Sequence, residues 1–201
     1  MGRLTLLALC MTASLYPLAA EPISDYDRHY GLSALHASRK QFLDAVAGLS
    51  EAQLKFKASP ESWSIAEVAE HLALAESVVF QAVQGALQSP EQPKNPEAQK
   101  LDQTIMTTVP QRTTKFKAPE VLQPGGKFKT TAEAVAAFKS ARDEHIQYLN
   151  TTQDALRQHF AKHPVLGDMD AYQWLLVLAA HTERHVNQIV EVKASPDYPK
   201  K

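Results

Sequence analysis

Cysteine is almost missing from this chain. Of its 201 residues only Cys10 carries a thiol, and none follows it. Past that point a disulfide, a cysteine nucleophile and a thiolate metal ligand are all excluded, so any metal must be held by His, Asp or Glu. Glycine is scarce, with 7 residues, and alternating Val/Ile/Thr runs are few, which argues against a sheet. Neither charge sign dominates: 21 Lys and Arg stand against 22 Asp and Glu. Without a basic stripe there is no electrostatic footprint for nucleic acid. No run beyond residue 20 is apolar enough to span a bilayer, so stable membrane insertion is not expected. A Ser-His-Asp grouping, a phosphate loop and a haem-attachment motif are also missing.

The first twenty residues read as a leader. Arg3 supplies one positive charge, Leu4 to Leu18 form a short apolar stretch, and Ala19-Ala20 precede the polar Glu21-Pro22. That order is the pattern of a secretory signal peptide, with cleavage expected after Ala20. Leu9 is too large, and Cys10 too near the start, for a lipoprotein anchor. Removal of residues 1–20 would take away Arg3 alone among the charged residues, leaving 20 basic against 22 acidic, and would remove the only thiol. Residues 21–201 are long enough for one well-packed domain, expected in the periplasm or outside the cell.

Helical periodicity recurs along that stretch. Leu32, Leu35, Phe42, Leu43, Val46 and Leu49 mark a first helix from about Asp25 to Leu49, with Gly31 weakening its first turns. Ser64 and Glu67 form a capping box, flanked by Trp63 and Val68 at staple positions, for a second helix reaching Leu87. From Ser89 to Lys129 the pattern breaks on Pro90, Pro93, Pro96, Pro110, Pro119, Pro124 and Gly125-Gly126, with a short helix expected over Glu97 to Val109. Such a long connection is either a tether across the bundle end or a cover over a pocket. Thr130 and Glu133 read as another capping box, opening a helix to about Lys162 with Val135, Phe138, Arg142, His145, Leu149, Leu156 and Phe160 at helical spacing. After His163-Pro164-Val165-Leu166-Gly167, Asp170 and Gln173 cap a last helix, with Met169 stapling onto Trp174. The expected architecture is all-α: a four-helix bundle with a long Pro-rich connection between the second and third helices.

Three histidines carry the chemistry. His181 and His185 are spaced i, i+4, so on a helix they project from one face. His71 lies beside the apolar stripe of the second helix. Two imidazoles at this spacing and a third from a facing helix can hold one divalent metal, leaving positions open for water or substrate. Taken singly, each has a plainer role: His71 as a hydrogen-bonded core residue, His181 and His185 as a solvated patch. Burial on a mid-helix stripe favours ligation, because unpaired imidazoles are costly there. Thr182 stands where the helical zinc-protease motif has glutamate, which argues against protease chemistry. His145, on the inward stripe of the third helix, is open to a core role, a fourth ligand or an outer contact. Glu67 is open to orienting His71, with capping favoured. His29, His36, His159 and His163 have no partner at ligand spacing.

Gly48-Leu49-Ser50-Glu51-Ala52-Gln53-Leu54-Lys55-Phe56 and Ser62-Trp63-Ser64-Ile65-Ala66-Glu67-Val68-Ala69-Glu70-His71-Leu72 resemble the first half of DinB-like (YfiT-like) domains. Leu178-Ala179-Ala180-His181-Thr182-Glu183-Arg184-His185-Val186-Asn187-Gln188-Ile189 resembles their second half. Lys115-Phe116-Lys117-Ala118-Pro119-Glu120 and Phe138-Lys139-Ser140-Ala141-Arg142 are similar to one branch of that family. The resemblance implies an up-down-down-up bundle, often a homodimer, with a divalent metal such as zinc or nickel on His71, His181 and His185. It also implies thiol-dependent S-transferase or metal-hydrolase chemistry on a small molecule. Export would make a cytosolic thiol scarce, and no general base stands out. Two readings follow: a metal-dependent enzyme outside the cytoplasm, or a non-catalytic exported bundle binding a small ligand or protein partner.

Overall fold

The computed structural model describes residues 21–200; the expected leader, residues 1–20, and Lys201 lie outside them. Four long helices build the bundle: α1 (Asp25–Val46), α3 (Ile65–Leu87), α5 (Thr131–Thr151) and α6 (Ala171–Lys193). A short α2 (Glu51–Lys55) precedes α3, and α4 (Ala98–Thr108) with a 3₁₀ turn over Glu120–Leu122 interrupts the long connection. Among the described residues no helix is long and apolar enough to cross a membrane.

Side-chain pairs fix the topology. α1 and α5 are antiparallel, because Arg28 bonds the carbonyls of Leu149 and Thr152 while Phe42 meets Phe138 edge-on at 4.6 Å. α1 and α6 are parallel: Tyr172 Oη donates to the Asp27 carbonyl, and Lys193 reaches the Ala45 carbonyl at the other end. The Phe80 ring lies against His145 and Tyr148, and Leu72 shares a core cluster with Phe138, so α3 runs parallel to α5. The order is therefore up-down-down-up. Parallel α3 and α5 need a long crossover, which the Pro-rich segment supplies.

Local chemistry sets the helix ends. Ser64 with Glu67 and Asp170 with Gln173 make reciprocal capping boxes, as expected. At Thr130 only half of the expected box forms: Thr130 accepts from Glu133 N, but the Glu133 carboxylate reaches back to Lys129 N. α1 stops at Val46, three residues short of Leu49, and Gly48 turns the chain at φ 66°.

The expectation of a helix to Lys162 is corrected. α5 ends at Thr151, and Phe160–His163 pairs antiparallel with Gly167–Asp170 as β1 and β2. Arg28 satisfies carbonyls that the end of α5 leaves free. Buried Arg157 then draws the chain inward, binding Asp27, Asp102 and Asp170 together. Leu156 is fully buried and Phe160 half-buried, so their helical spacing reflects burial without helix.

A buried polar layer splits the core in two. Ser38, Glu76, Arg142 and Thr182, one from each long helix, lie between the Leu35/Leu149/Leu175 cluster and the Phe42/Leu72/Phe138/Ile189 cluster. Arg142 donates to both Glu76 oxygens at 3.0 and 2.5 Å, and to Ser38 Oγ and Thr182 Oγ1, each at 2.8 Å.

Gly31 of α1 packs directly against Leu149 of α5 and Tyr172 of α6. A Cβ there would lie 2.8 Å from Leu149 Cδ2 and 3.0 Å from Tyr172 Cε2, both fully buried. Gly31→Ala is expected to lower stability by about 1–3 kcal/mol through overpacking. The helix-propensity gain of roughly 0.5–1 kcal/mol offsets only part of that cost. A denaturant melt showing higher stability for the variant would contradict this packing.

Candidate metal centre

His71 is carried by α3 and the His181/His185 pair by α6, and these helices run antiparallel side by side. The i, i+4 spacing turns both α6 imidazoles toward α3, where His71 meets them. His71 Nε2 and His185 Nε2 each lie 3.2 Å from His181 Nε2. One ligand nitrogen from each histidine falls within 4.8 Å of the others. Neighbouring nitrogens around a tetrahedral ion with bonds of 2.0–2.1 Å stand about 3.3 Å apart. His71 and His185 are buried, and His181 is half-buried.

The outer ring nitrogens decide which way the lone pairs point. His71 Nδ1 donates to the Leu122 carbonyl at 2.7 Å, and His185 Nδ1 donates to Gln188 Oε1 at 2.8 Å. The Leu122 carbonyl can only accept, so it puts the His71 proton on Nδ1; the Gln188 oxygen, turned as it is, does the same at His185, and each Nε2 is left with a bare lone pair toward the shared centre. Three nitrogens so arranged repel unless a cation or proton sits among them. The group therefore fits a divalent metal.

Electrostatics agree. Burial lowers the His71 pKa below its ordinary value. Burial, then His71 and the nearby Arg184 and Arg142 charges, pushes His181 down to about 3. Burial with His181 and His71 lowers His185 strongly. All three are therefore neutral, the form that ligates, at ordinary pH. In metal-free protein the unfolded chain binds protons near pH 6.5 while the fold does not, so stability present above pH 6.5 is lost as pH falls toward the lowered values. The expected slope is up to about 1.4 kcal/mol per pH unit for each histidine. Melts of metal-free protein between pH 7 and 5 should show a steeper loss than the triple alanine variant; parallel curves would contradict it.

Other expected roles resolve differently. His145 stays out of the group: its Nδ1 lies 2.9 Å from Glu76 Oε2, in the polar layer. Glu67 is used by the cap of α3, accepting from Ser64 N at 2.7 Å, and not by His71. Trp63 is half-buried; its ring centre lies 4.8 Å from His71 and 6.1 Å from His185, so it walls the histidines as well as packing α3. His159 and His163 serve the hairpin region through backbone contacts.

The long connection is fastened to both helices beside this site. Glu70, next to His71, accepts from the N–H groups of Gly125, Gly126 and Lys127 at 3.0, 3.1 and 2.7 Å. Burial would raise its pKa, but those bonds hold the carboxyl below its usual range. Arg184, next to His185, donates to the carbonyls of Val109, Gln111 and Thr114. Asn187 donates to the Pro110 carbonyl. Residues 109–127 thus form a strap fastened to α6 on one side and α3 on the other. Sequence reasoning missed Glu70, Gln188 and the Leu122 carbonyl. Gln188 had a signal, three residues after His185 on the same face; a backbone carbonyl 51 residues from His71 has none.

Residues 34–189 match the family model of the DinB superfamily. The chain belongs to the DinB superfamily. The uncharacterized protein YuaE of Bacillus subtilis (strain 168) is 24% identical over 162 residues, spanning 81% of this chain and 96% of that one. Among solved structures, YfiT from Bacillus subtilis superposes with a TM-score of 0.57 at 15% identity, over 88% of this chain and 91% of its own. That protein is described as a probable metal-dependent hydrolase with an unusual four-helix bundle topology. TT2238, a four-helix bundle protein, superposes with a TM-score of 0.50 at 18% identity, over 82% and 98% of the two chains. At these identities the structures share the fold of this DinB-like chain.

Proposed function

We propose that this DinB-like protein is a metal-dependent enzyme of the S-transferase or hydrolase type, working outside the cytoplasm on a small molecule. The observation that carries the reading is the convergence of three neutral imidazole nitrogens, two with their outer nitrogens fixed by acceptors. His71, His181 and His185 would hold a divalent ion, zinc or nickel. Bound there, it would supply Lewis acidity, lowering the pKa of a water or thiol for attack on an electrophile. The Leu122 carbonyl of the strap and the Trp63 ring border the histidines. The description of YfiT as a probable metal-dependent hydrolase supports the reading, and the leader-like first twenty residues support export.

One observation favours the rival, a non-catalytic bundle that binds a small ligand or partner. The carboxylates nearest His71 along α3 are committed: Glu67 to the helix cap and Glu70 to the strap. Neither is placed to act as a general base. Protein purified without a histidine tag should carry close to one metal per chain and turn over ester or thiol-plus-electrophile substrates. Chelation should abolish that turnover and added metal restore it. Stoichiometric metal with no turnover across both classes would favour the rival. Mass spectrometry of the exported protein should give an N-terminus near Glu21; an intact Met1 would contradict export by cleavage.

A further inference from the structure

We propose that Arg112, on the strap, is a positioning residue for the metal site, acting through Gln188 on His185. The inference rests on the metal reading above and adds a residue that touches no ligand. Gln188 Oε1 is shared: it accepts from His185 Nδ1 at 2.8 Å and from Arg112 Nη1 at 3.3 Å. Arg112 is anchored in turn by Glu191, one turn after Asn187 on α6, through Nε at 2.8 Å, and its side chain is only 14% exposed.

The physical point is that a carboxamide has two faces and a guanidinium has one kind of group. Gln188 can offer His185 either an oxygen that accepts or an NH₂ that donates. A guanidinium only donates, so with Arg112 in place the Gln188 oxygen must face it. The same oxygen then faces His185 Nδ1, which must carry the proton, and Nε2 is left bare toward His181. Without Arg112 the amide is free to turn its NH₂ to Nδ1. That would favour the Nε2–H form of His185, which cannot ligate until the proton moves. His71 obtains the same bias from the Leu122 carbonyl, also on the strap. Both α-helical ligands whose outer nitrogens are engaged therefore take their tautomer from residues of one crossing segment.

A carboxylate at position 188 separates this role from mere anchoring of the strap. It has no donor face, so it accepts from His185 Nδ1 whether or not Arg112 is present. Calorimetric titration with zinc of the chelated full-length protein would compare the parent, Arg112→Met, and Arg112→Met with Gln188→Glu. Arg112→Met should weaken zinc binding about 10–100-fold, the usual range for losing a partner behind a ligand. Gln188→Glu should restore most of that loss. Equal affinity in Arg112→Met and the parent would overturn the relay while leaving the metal reading intact. A loss that Gln188→Glu does not restore would overturn it too, assigning Arg112 to the strap alone. No zinc binding by the parent would remove the metal reading and this inference with it. Nitrogen NMR of His185 in the metal-free parent tests the same claim without any variant: the Nδ1–H tautomer is expected, and a predominant Nε2–H form would refute it.

Discussion

Changing His71, His181 or His185 singly to Ala should weaken zinc binding on the order of 1,000-fold, more than the 10–100-fold usual for an outer partner. The three losses should be similar, because each imidazole contributes one Nε2 to the same centre. The triple variant should add little beyond any single one, since groups acting as a unit are not additive. His145→Ala provides the comparison. Its ring is bound to Glu76 in the polar layer, so that variant should lose stability yet keep its metal. If His71→Ala binds zinc as tightly as the parent, α3 supplies no ligand. The pair on α6 would then be an ordinary two-histidine chelate.

The largest stability effect is expected from the polar layer. Arg142 is 0% exposed and its partner Glu76 1%, with burial raising the Glu76 pKa and Arg142 and His145 holding it below its ordinary value. Glu76→Ala would leave the Arg142 charge without its carboxylate, and Arg142→Ala would leave Glu76 with His145 alone, each costing about 3–5 kcal/mol. Arg142→Met combined with Glu76→Leu removes both charges and should cost clearly less than the sum of the single changes. Denaturant melts of the four proteins measure this directly. An Arg142→Ala variant within 1 kcal/mol of the parent, on the order of an exposed ion pair, would show that the layer is hydrated. Because Arg142 bonds Leu178 and Thr182 of α6 and none of the three histidines, variants that still fold should keep their metal.

Much of this fold was legible because its signals are local. The capping boxes at Ser64 and Asp170 name the starts of α3 and α6, and Pro90 bounds the end of α3. The end of α5 was not legible. Leu156 and Phe160 continue the helical spacing, while the force that bends the chain away is Arg157 meeting Asp27, Asp102 and Asp170 from distant segments. Arg142 and His145 fell on the inward stripe of their helix, but their partner Glu76 lay 66 and 69 residues earlier, beyond any periodicity. The histidine trio was readable as a candidate from the i, i+4 pair and the family resemblance. Its strap was not: Gly125-Gly126 signals a turn, but only the folded chain brings those N–H groups onto Glu70.

The central claim, that one ion sits among three Nε2 atoms, is tested most directly by anomalous diffraction from zinc-loaded crystals of untagged protein. A single strong peak is expected about 2.0–2.1 Å from Nε2 of His71, His181 and His185 together. A peak bonded to only two of them, a peak at an Nδ1 atom, or no peak between α3 and α6 would contradict it.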